Sequence, residues 1–356
     1  MPGSARRVTI ADVAARAGVS AGAVSFALND RPGVAASTRR RILEVAGELG
    51  WQPSHRARSL SRSTSFAFGL VLARSTELVG ADPFFPAFVS GVNTVLVAHE
   101  RSLLFTVVPD TDSELATYQR LAAEQRVDGV ILPDLRVHDS RPRLVADLGL
   151  PAITLGRPDR IGGDRRVGSV SVNDVVGMRE VVRSLVTAGH ERIAHVTGPR
   201  NYLHVRHRRN AWADELDTAG LPRGACVYTD FSAGAGARAT EQLLQADERP
   251  TAITYTNDVM AIAGLAVLQR HGLRVPRDIS ITGFDDTELA HHIEPPLTTV
   301  RTAVAQWGER VAVELLTATG GSAPQHIDLE PARMVVRASV AAPPARSKAR
   351  KGAPPR

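Results

Sequence analysis

The pattern of apolar and polar positions changes character along this chain. From Val8 to Leu28 the apolar residues recur at helical spacing in two short bursts, Ile10, Val13, Ala14 and Ala17, then Val24, Ala27 and Leu28. Thr9 is placed to cap the first burst, with Asp12 three residues on as its acidic partner. Gly18 can end that helix in the left-handed conformation, and Ser20 can cap the next. The spacing predicts two short helices joined by a tight turn, the second at about residues 21–28, which is a helix-turn-helix. Asn29 to Gly33 reads as a turn by composition. Ser37 is then expected to cap a third helix over about residues 38–49, with Ile42, Val45, Ala46 and Leu49 on one face and Gly50 as its stop.

From Phe66 onward short apolar runs alternate with amphipathic stretches. Strand-like runs fall at about residues 68–72, 103–108, 130–132 and 152–155, and a second series at about 170–172, 193–196, 252–255 and 279–281. Helical stretches lie between them at about 88–99, 114–125, 175–188 and 260–271. Such alternation predicts parallel sheets covered on both faces. The polar, Gly-rich stretch 157–168 divides the runs and suggests two α/β lobes, with a ligand cleft between them beyond the carboxyl ends of the strands. The expected fold class is therefore a small all-α head followed by an α/β body of two lobes. Expected boundaries are 1–53 for the head, 54–65 for a linker, 66–340 for the body and 341–356 for a tail.

The linker stretch 54–62 is basic, polar and almost free of core residues. So short a helix is marginal in water by itself, but could form on DNA beside a second copy. Leu60, apolar among charges, is either an incidental linker leucine or a wedge between base steps in a minor groove.

Charge sharpens this picture. Residues 1–62 carry a net +6, residues 341–356 a net +5, and the stretch between them a net −5. A basic head on a mildly acidic body fits a nucleic-acid-binding module fused to another kind of domain. The Pro-, Ala- and Arg-rich tail reads as disordered. The single cysteine, Cys226, excludes an internal disulfide framework and reads as a buried small hydrophobe in a reducing cytoplasm. No apolar run approaches a membrane span, and none follows Arg6 and Arg7 as a secretory signal requires.

Other chemistries find less support. Gly18-Val19-Ser20-Ala21-Gly22 matches a hydrolase nucleophile elbow, but a buried strand must precede such a serine, and here an amphipathic helix does. The adjacent Asp285 and Asp286 do not face each other as a glycosidase pair would. His204 with His207, and His291 with His292, lack the further ligands a metal site needs. The chain has lysines only at 348 and 351, so no P-loop is present, and no cofactor is expected. A secreted solute-binding protein would share the two lobes but not the basic helical head.

Read in order, these residues resemble the lac repressor (LacI/GalR) family of bacterial transcription regulators. The resemblance rests on Val8-Thr9-Ile10 with Asp12-Val13-Ala14, Ala17 to Ser20, Leu28-Asn29, Leu49-Gly50-Trp51 with Pro53, and Ala57-Arg58-Ser59-Leu60. Farther on it rests on Asp82 to Phe85, Gly189-His190, Asn257-Asp258, Gly283 to Asp286 and Pro296 to Val300. It implies a homodimeric, cytoplasmic repressor that reads a pseudo-palindromic double-stranded operator and answers to a small-molecule effector, a sugar or sugar derivative. It implies no enzyme and no membrane partner.

The DNA-binding residues it implies are Thr9, Ser20, Ala21, Gly22, Ser25, Phe26, Asn29 and Arg39 in the head, with Ala57, Arg58 and the wedge Leu60 in the hinge. Ala21, Gly22 and Phe26 depart from a typical member, since none can make a bidentate bond to a base. Ser20, Ser25 and the arginines near Arg39 suit phosphates, which position without specifying. The effector residues it implies are Phe84, Phe85, Arg208, Phe231 and Asp258, with Asp134, Asn173 and Asp285 at strand ends.

Overall fold

The computed structural model describes residues 8–29, 31–51, 64–159 and 166–344. They form two compact units, one ending at Thr64 and the other beginning at Ser65. Ala57, Arg58 and Leu60 of the expected hinge lie outside the described residues, as does the tail beyond residue 344.

Among the described residues the first unit holds three helices, α1 (Ile10–Ala17), α2 (Ala21–Leu28) and α3 (Ala36–Glu48). The local signals act as the sequence predicts. Thr9 Oγ1 accepts from the Asp12 amide at 3.3 Å, and Asp12 Oδ2 accepts from the Thr9 amide at 2.8 Å, closing a capping box. Gly18 ends α1 at φ 65°, and Ser20 Oγ caps α2 by accepting from the Ala23 amide at 3.2 Å. The chain bends by 106° between α1 and α2. Val13, Val24 and Ile42, fully buried, hold the three helices together. Ser37 is not a cap, contrary to expectation. The extended backbone of Ala35 lets α3 begin at Ala36, so Ser37 lies in its first turn.

The second unit is α/β. Among the described residues, six strands form one parallel sheet: β1 (Ala67–Ala73), β2 (Ser102–Val108), β3 (Gly129–Leu132), β4 (Ala152–Leu155), β5 (Val167–Ser171) and, from far along the chain, β11 (His326–Asp328). Their order is β11-β5-β4-β3-β1-β2. Four more, β6 (Ile193–Thr197), β7 (Cys226–Tyr228), β8 (Ala252–Tyr255) and β9 (Ser280–Thr282), form a second parallel sheet in the order β7-β6-β8-β9. A short antiparallel pair, β10 (Thr299–Arg301) with β12 (Arg333–Val335), completes the strands.

Both faces of the first sheet are covered, which explains its near-continuous apolar strands. Leu70, Leu72, Ile131 and Ile153 pack beneath helices Phe84–Ala98 and Thr-terminated Val304–Thr319, while Val71, Val130 and Leu132 pack with Tyr118 and Leu121 on the other side. The two covering helices approach so closely that a Cβ on Gly91 would overlap the Ala305 carbonyl oxygen, and one on Gly308 that of Phe88.

Two expectations are corrected here. The pattern places the run at 170–172 in the second series, but β5 pairs with β4 in the first sheet, with Ala152 opposite Val167. The chain crosses between lobes more than once, and strand patterning carries no mark of which sheet will be joined. Cys226 opens edge strand β7 and is half-buried rather than buried. No single helix among the described residues is long and apolar enough to cross a membrane.

Candidate functional site

In the helical unit, the burial of Val24 and Ala27 turns the rest of α2 outward. Ala21 and Gly22 are exposed, Ser25 is half-buried, and Phe26 is 42% exposed. The polar side chains expected at the nucleic acid already hold intramolecular bonds. Asn29 Nδ2 donates to the Ser25 carbonyl at 2.9 Å, and Arg39 Nη2 donates to the Arg31 carbonyl at 2.7 Å. The outward face of α2 is thus largely apolar, with Phe26 as its large side chain. It can follow a groove and meet thymine methyls, but offers no paired donor and acceptor to a base edge.

In the α/β unit, a cavity of about 470 Å³ lies where the strand ends of both sheets converge. Arg74 follows β1, Asp134 comes shortly after β3, Asn173 after β5, Thr256 after β8 and Asp285 after β9. This is the place at which parallel α/β sheets bind ligands.

Arg74 organises the first-sheet side. Its Nε and Nη2 grip Asp134 at 2.7 and 2.8 Å, and its Nη1 reaches Asp82 at 3.1 Å. The guanidinium also lies 4.9 Å from the ring centre of Phe85 and 5.2 Å from that of Phe231, so it joins first-lobe and second-lobe groups. Asp134 is held below its ordinary acidity range because these arginine contacts outweigh its burial. Phe84 and Trp307 meet edge to face at 6.0 Å and give this side an aromatic wall.

Arg208 organises the other side. Its Nε donates to Asp174 at 2.7 Å, its Nη1 to the Thr256 carbonyl at 3.1 Å, and its carbon lies 3.6 Å from the ring centre of Phe284. Next to Phe284, Asp285 faces the cavity, and burial pushes its carboxyl up to about 8, with Asp258, Asp82 and Asp174 adding to the rise and Arg208 opposing it. His204 stacks near Tyr202 and Phe231, at 5.6 and 5.8 Å between ring centres. Burial and then the charge of Arg208 press it down to about 4, so it is neutral near pH 7. Three non-glycine residues of the cavity wall adopt positive φ: Asp134 at 49°, Phe231 at 73° and Asp285 at 101°. Backbone strain of this kind gathers where a side chain must be held in place for binding.

Of the residues named from sequence, Phe84, Asp134, Asn173, Arg208, Phe231 and Asp285 come together on the cavity wall. Phe85 and Asp258 do not. Phe85 is 3% exposed and belongs to the core under the first sheet. Asp258 is fully buried because Asn257, one residue earlier, takes the capping position of helix Asp258–Arg270. Its Oδ2 accepts from the Thr287 amide at 2.7 Å and its Oδ1 from the Thr299 hydroxyl at 2.6 Å, so it fastens the loop that carries Asp285. Arg74, Asp82, Asp174, His204 and Trp307 were not anticipated. Arg74 had one available signal: a charged residue directly after a fully apolar strand.

Residues 9–54 match the bacterial regulatory proteins of the lacI family, and residues 182–340 match the periplasmic binding protein-like domain. The HTH-type transcriptional regulator CelR of Thermobifida fusca is 32% identical over 336 residues, spanning 93% of this chain and 96% of the relative. The chain belongs to the LacI family. As a LacI-family protein it is a DNA-binding transcriptional regulator, with a helix-turn-helix head and a two-lobed periplasmic-binding-protein-like body. The lac repressor dimer bound to operator and the anti-inducer ONPF is similar to it at a TM-score of 0.82 and 28% identity, over 95% of this chain and all of that one. The CelR–cellobiose complex is similar at a TM-score of 0.71 and 29% identity, over 94% of this chain and all of that one.

Proposed function

We propose that this LacI-family chain is a repressor that binds a pseudo-palindromic double-stranded operator as a homodimer, with its DNA affinity set by a sugar or sugar derivative in the cleft. One observation carries the reading. The cavity wall is drawn from the strand ends of both lobes, with Arg74 and Asp134 from one and Arg208 and Asp285 from the other. A ligand touching both sets binds one lobe closure better than another, and that difference is the coupling to DNA, reciprocal by linkage. The aromatic faces of Phe84, Trp307 and Phe231 among carboxylates suit a ring rich in hydroxyls. The operator-bound dimer of the lac repressor and the cellobiose complex of CelR are consistent with the same arrangement here.

The reading includes no catalysis and places the protein in the cytoplasm with its DNA. The hydroxyl of the hydrolase-like string, on Ser20, is the cap of α2. On DNA, the α2 face and the residues Thr9, Ser20, Ser25 and Asn29 dock each head, and Arg39 approaches the phosphates.

The test is a thermal-shift screen of the full chain against neutral sugars, sugar phosphates and nucleobases, since a ligand of the folded state raises its melting temperature. Each hit is then titrated into a complex with an operator selected from random DNA. A hit that changes operator affinity tenfold or more supports the reading. Hits that leave operator affinity unchanged contradict it.

A further inference from the structure

The cavity's charges are already spoken for, and this narrows the ligand. Three arginines stand on its wall, each bound to a wall carboxylate: Arg74 to Asp134 and Asp82, Arg208 to Asp174, and Arg157 to Asp328 at 2.8 Å. Five aspartates face these three arginines, and the fifth, Asp285, has no side-chain hydrogen bond among the described residues. Three further wall residues, Ser171, Thr256 and Thr302, bury hydroxyls that also lack a hydrogen-bond partner among the described residues. The unused polar groups are therefore a carboxyl, neutral hydroxyls and the Nη2 edge of Arg208, whose charge Asp174 already matches.

Resting on the effector reading above, we infer that the cleft selects an uncharged polyhydroxyl ligand and excludes phosphorylated or carboxylated ones. Sugar hydroxyls can donate to Asp285 and exchange bonds with Thr256 and Thr302 without disturbing any existing pair. An anion adds negative charge to a wall where five aspartates already face three arginines, and drawing Arg74 or Arg208 fully to itself leaves a carboxylate in the cavity without a partner. Burial does most to raise the Asp285 carboxyl, and Asp258, Asp82 and Asp174 add to the rise against Arg208. His204, pressed to about 4, adds no positive charge near pH 7.

Calorimetric titration of the full chain tests the inference with glucose, galactose and maltose against glucose 6-phosphate, galacturonate and inorganic phosphate. The expected result is binding confined to neutral sugars, with at least a hundredfold weaker binding of the anions. Asp134→Asn and Asp174→Asn, which remove one of the two carboxylate partners of Arg74 and the carboxylate partner of Arg208, are expected to gain tenfold or more in affinity for glucose 6-phosphate, and two variants guard against one that fails to fold. Tight binding of an anionic probe, lost in Arg208→Ala, overturns the charge inference while leaving the effector cleft standing. Binding of neither class, with operator affinity unmoved by both, overturns the effector reading and the inference with it.

Discussion

Arg208 holds its guanidinium carbon 3.6 Å from the ring centre of Phe284, the residue directly before Asp285. The ring, the Asp174 carboxylate and the Thr256 carbonyl fix the arginine from three sides, leaving Nη2 without a hydrogen-bond partner among the described residues. Preorganisation of this kind lowers the cost of ordering a side chain when the ligand arrives. Lysine keeps the charge but has neither the planar fork nor the stack. Both Arg208→Ala and Arg208→Lys are expected to lose tenfold or more in effector affinity by calorimetry, with operator affinity in the absence of effector unchanged within about twofold, a loss of about 1.4 kcal/mol or more.

The Asp285 carboxyl gives stability a pH dependence. Burial raises its pKa in the folded chain to about 8, above that of the unfolded chain, so the folded state holds the proton more tightly. The sign follows: this residue's contribution is most favourable below about pH 4 and declines as pH rises toward about 8. Asp285→Asn is expected to flatten that slope and to gain on the order of 5 kcal/mol at pH 8 relative to its difference at pH 4. Urea unfolding across that range measures it, and equal slopes in the two proteins contradict it.

Helices Phe84–Ala98 and Val304–Thr319 meet backbone to backbone at Gly91 and Gly308. Gly91→Ala is expected to cost about 1–3 kcal/mol because the added methyl meets a carbonyl oxygen rather than a yielding side chain. Gly80, in helix Thr76–Ala81, has open space around it, and Gly80→Ala is expected to be neutral or to stabilise by up to about 1 kcal/mol. Denaturant midpoints of the two variants separate the cases.

Phe26 is the large apolar group on the outward face of α2. Phe26→Ala is expected to leave stability within about 0.5 kcal/mol, as for an exposed site, and to weaken operator binding by about 1–3 kcal/mol. Fluorescence anisotropy on a selected operator, beside a melting curve, checks both halves.

The head was legible because its signals are local. The Thr9–Asp12 box, the Gly18 stop and the Ser20 cap each act within a few residues, and all three stand in the structure. The cavity was legible only in part. Asp134 and Asp285 sit at strand ends, where sequence order points to a ligand. The role of Arg74 exists only once folding brings Asp82, Asp134 and Phe231 around it. Asp258 was placed on the wall because it follows a strand, but the neighbouring Asn257 takes the cap and Asp258 turns inward to Thr287 and Thr299. Patterning places β5 with the wrong lobe because its partner is decided by the return path of the chain, which local patterning does not record.

The central claim is that occupation of the cleft by a neutral sugar controls DNA affinity. Its most direct measurement is anisotropy of a labelled operator titrated with the full chain, with and without a sugar that binds the cleft, for the native protein and Arg208→Ala. The account predicts a tenfold or larger change in operator affinity for the native protein and none for the variant, with equal affinities when sugar is absent. An equal response in both proteins, or none in either while the native chain binds the sugar, contradicts it.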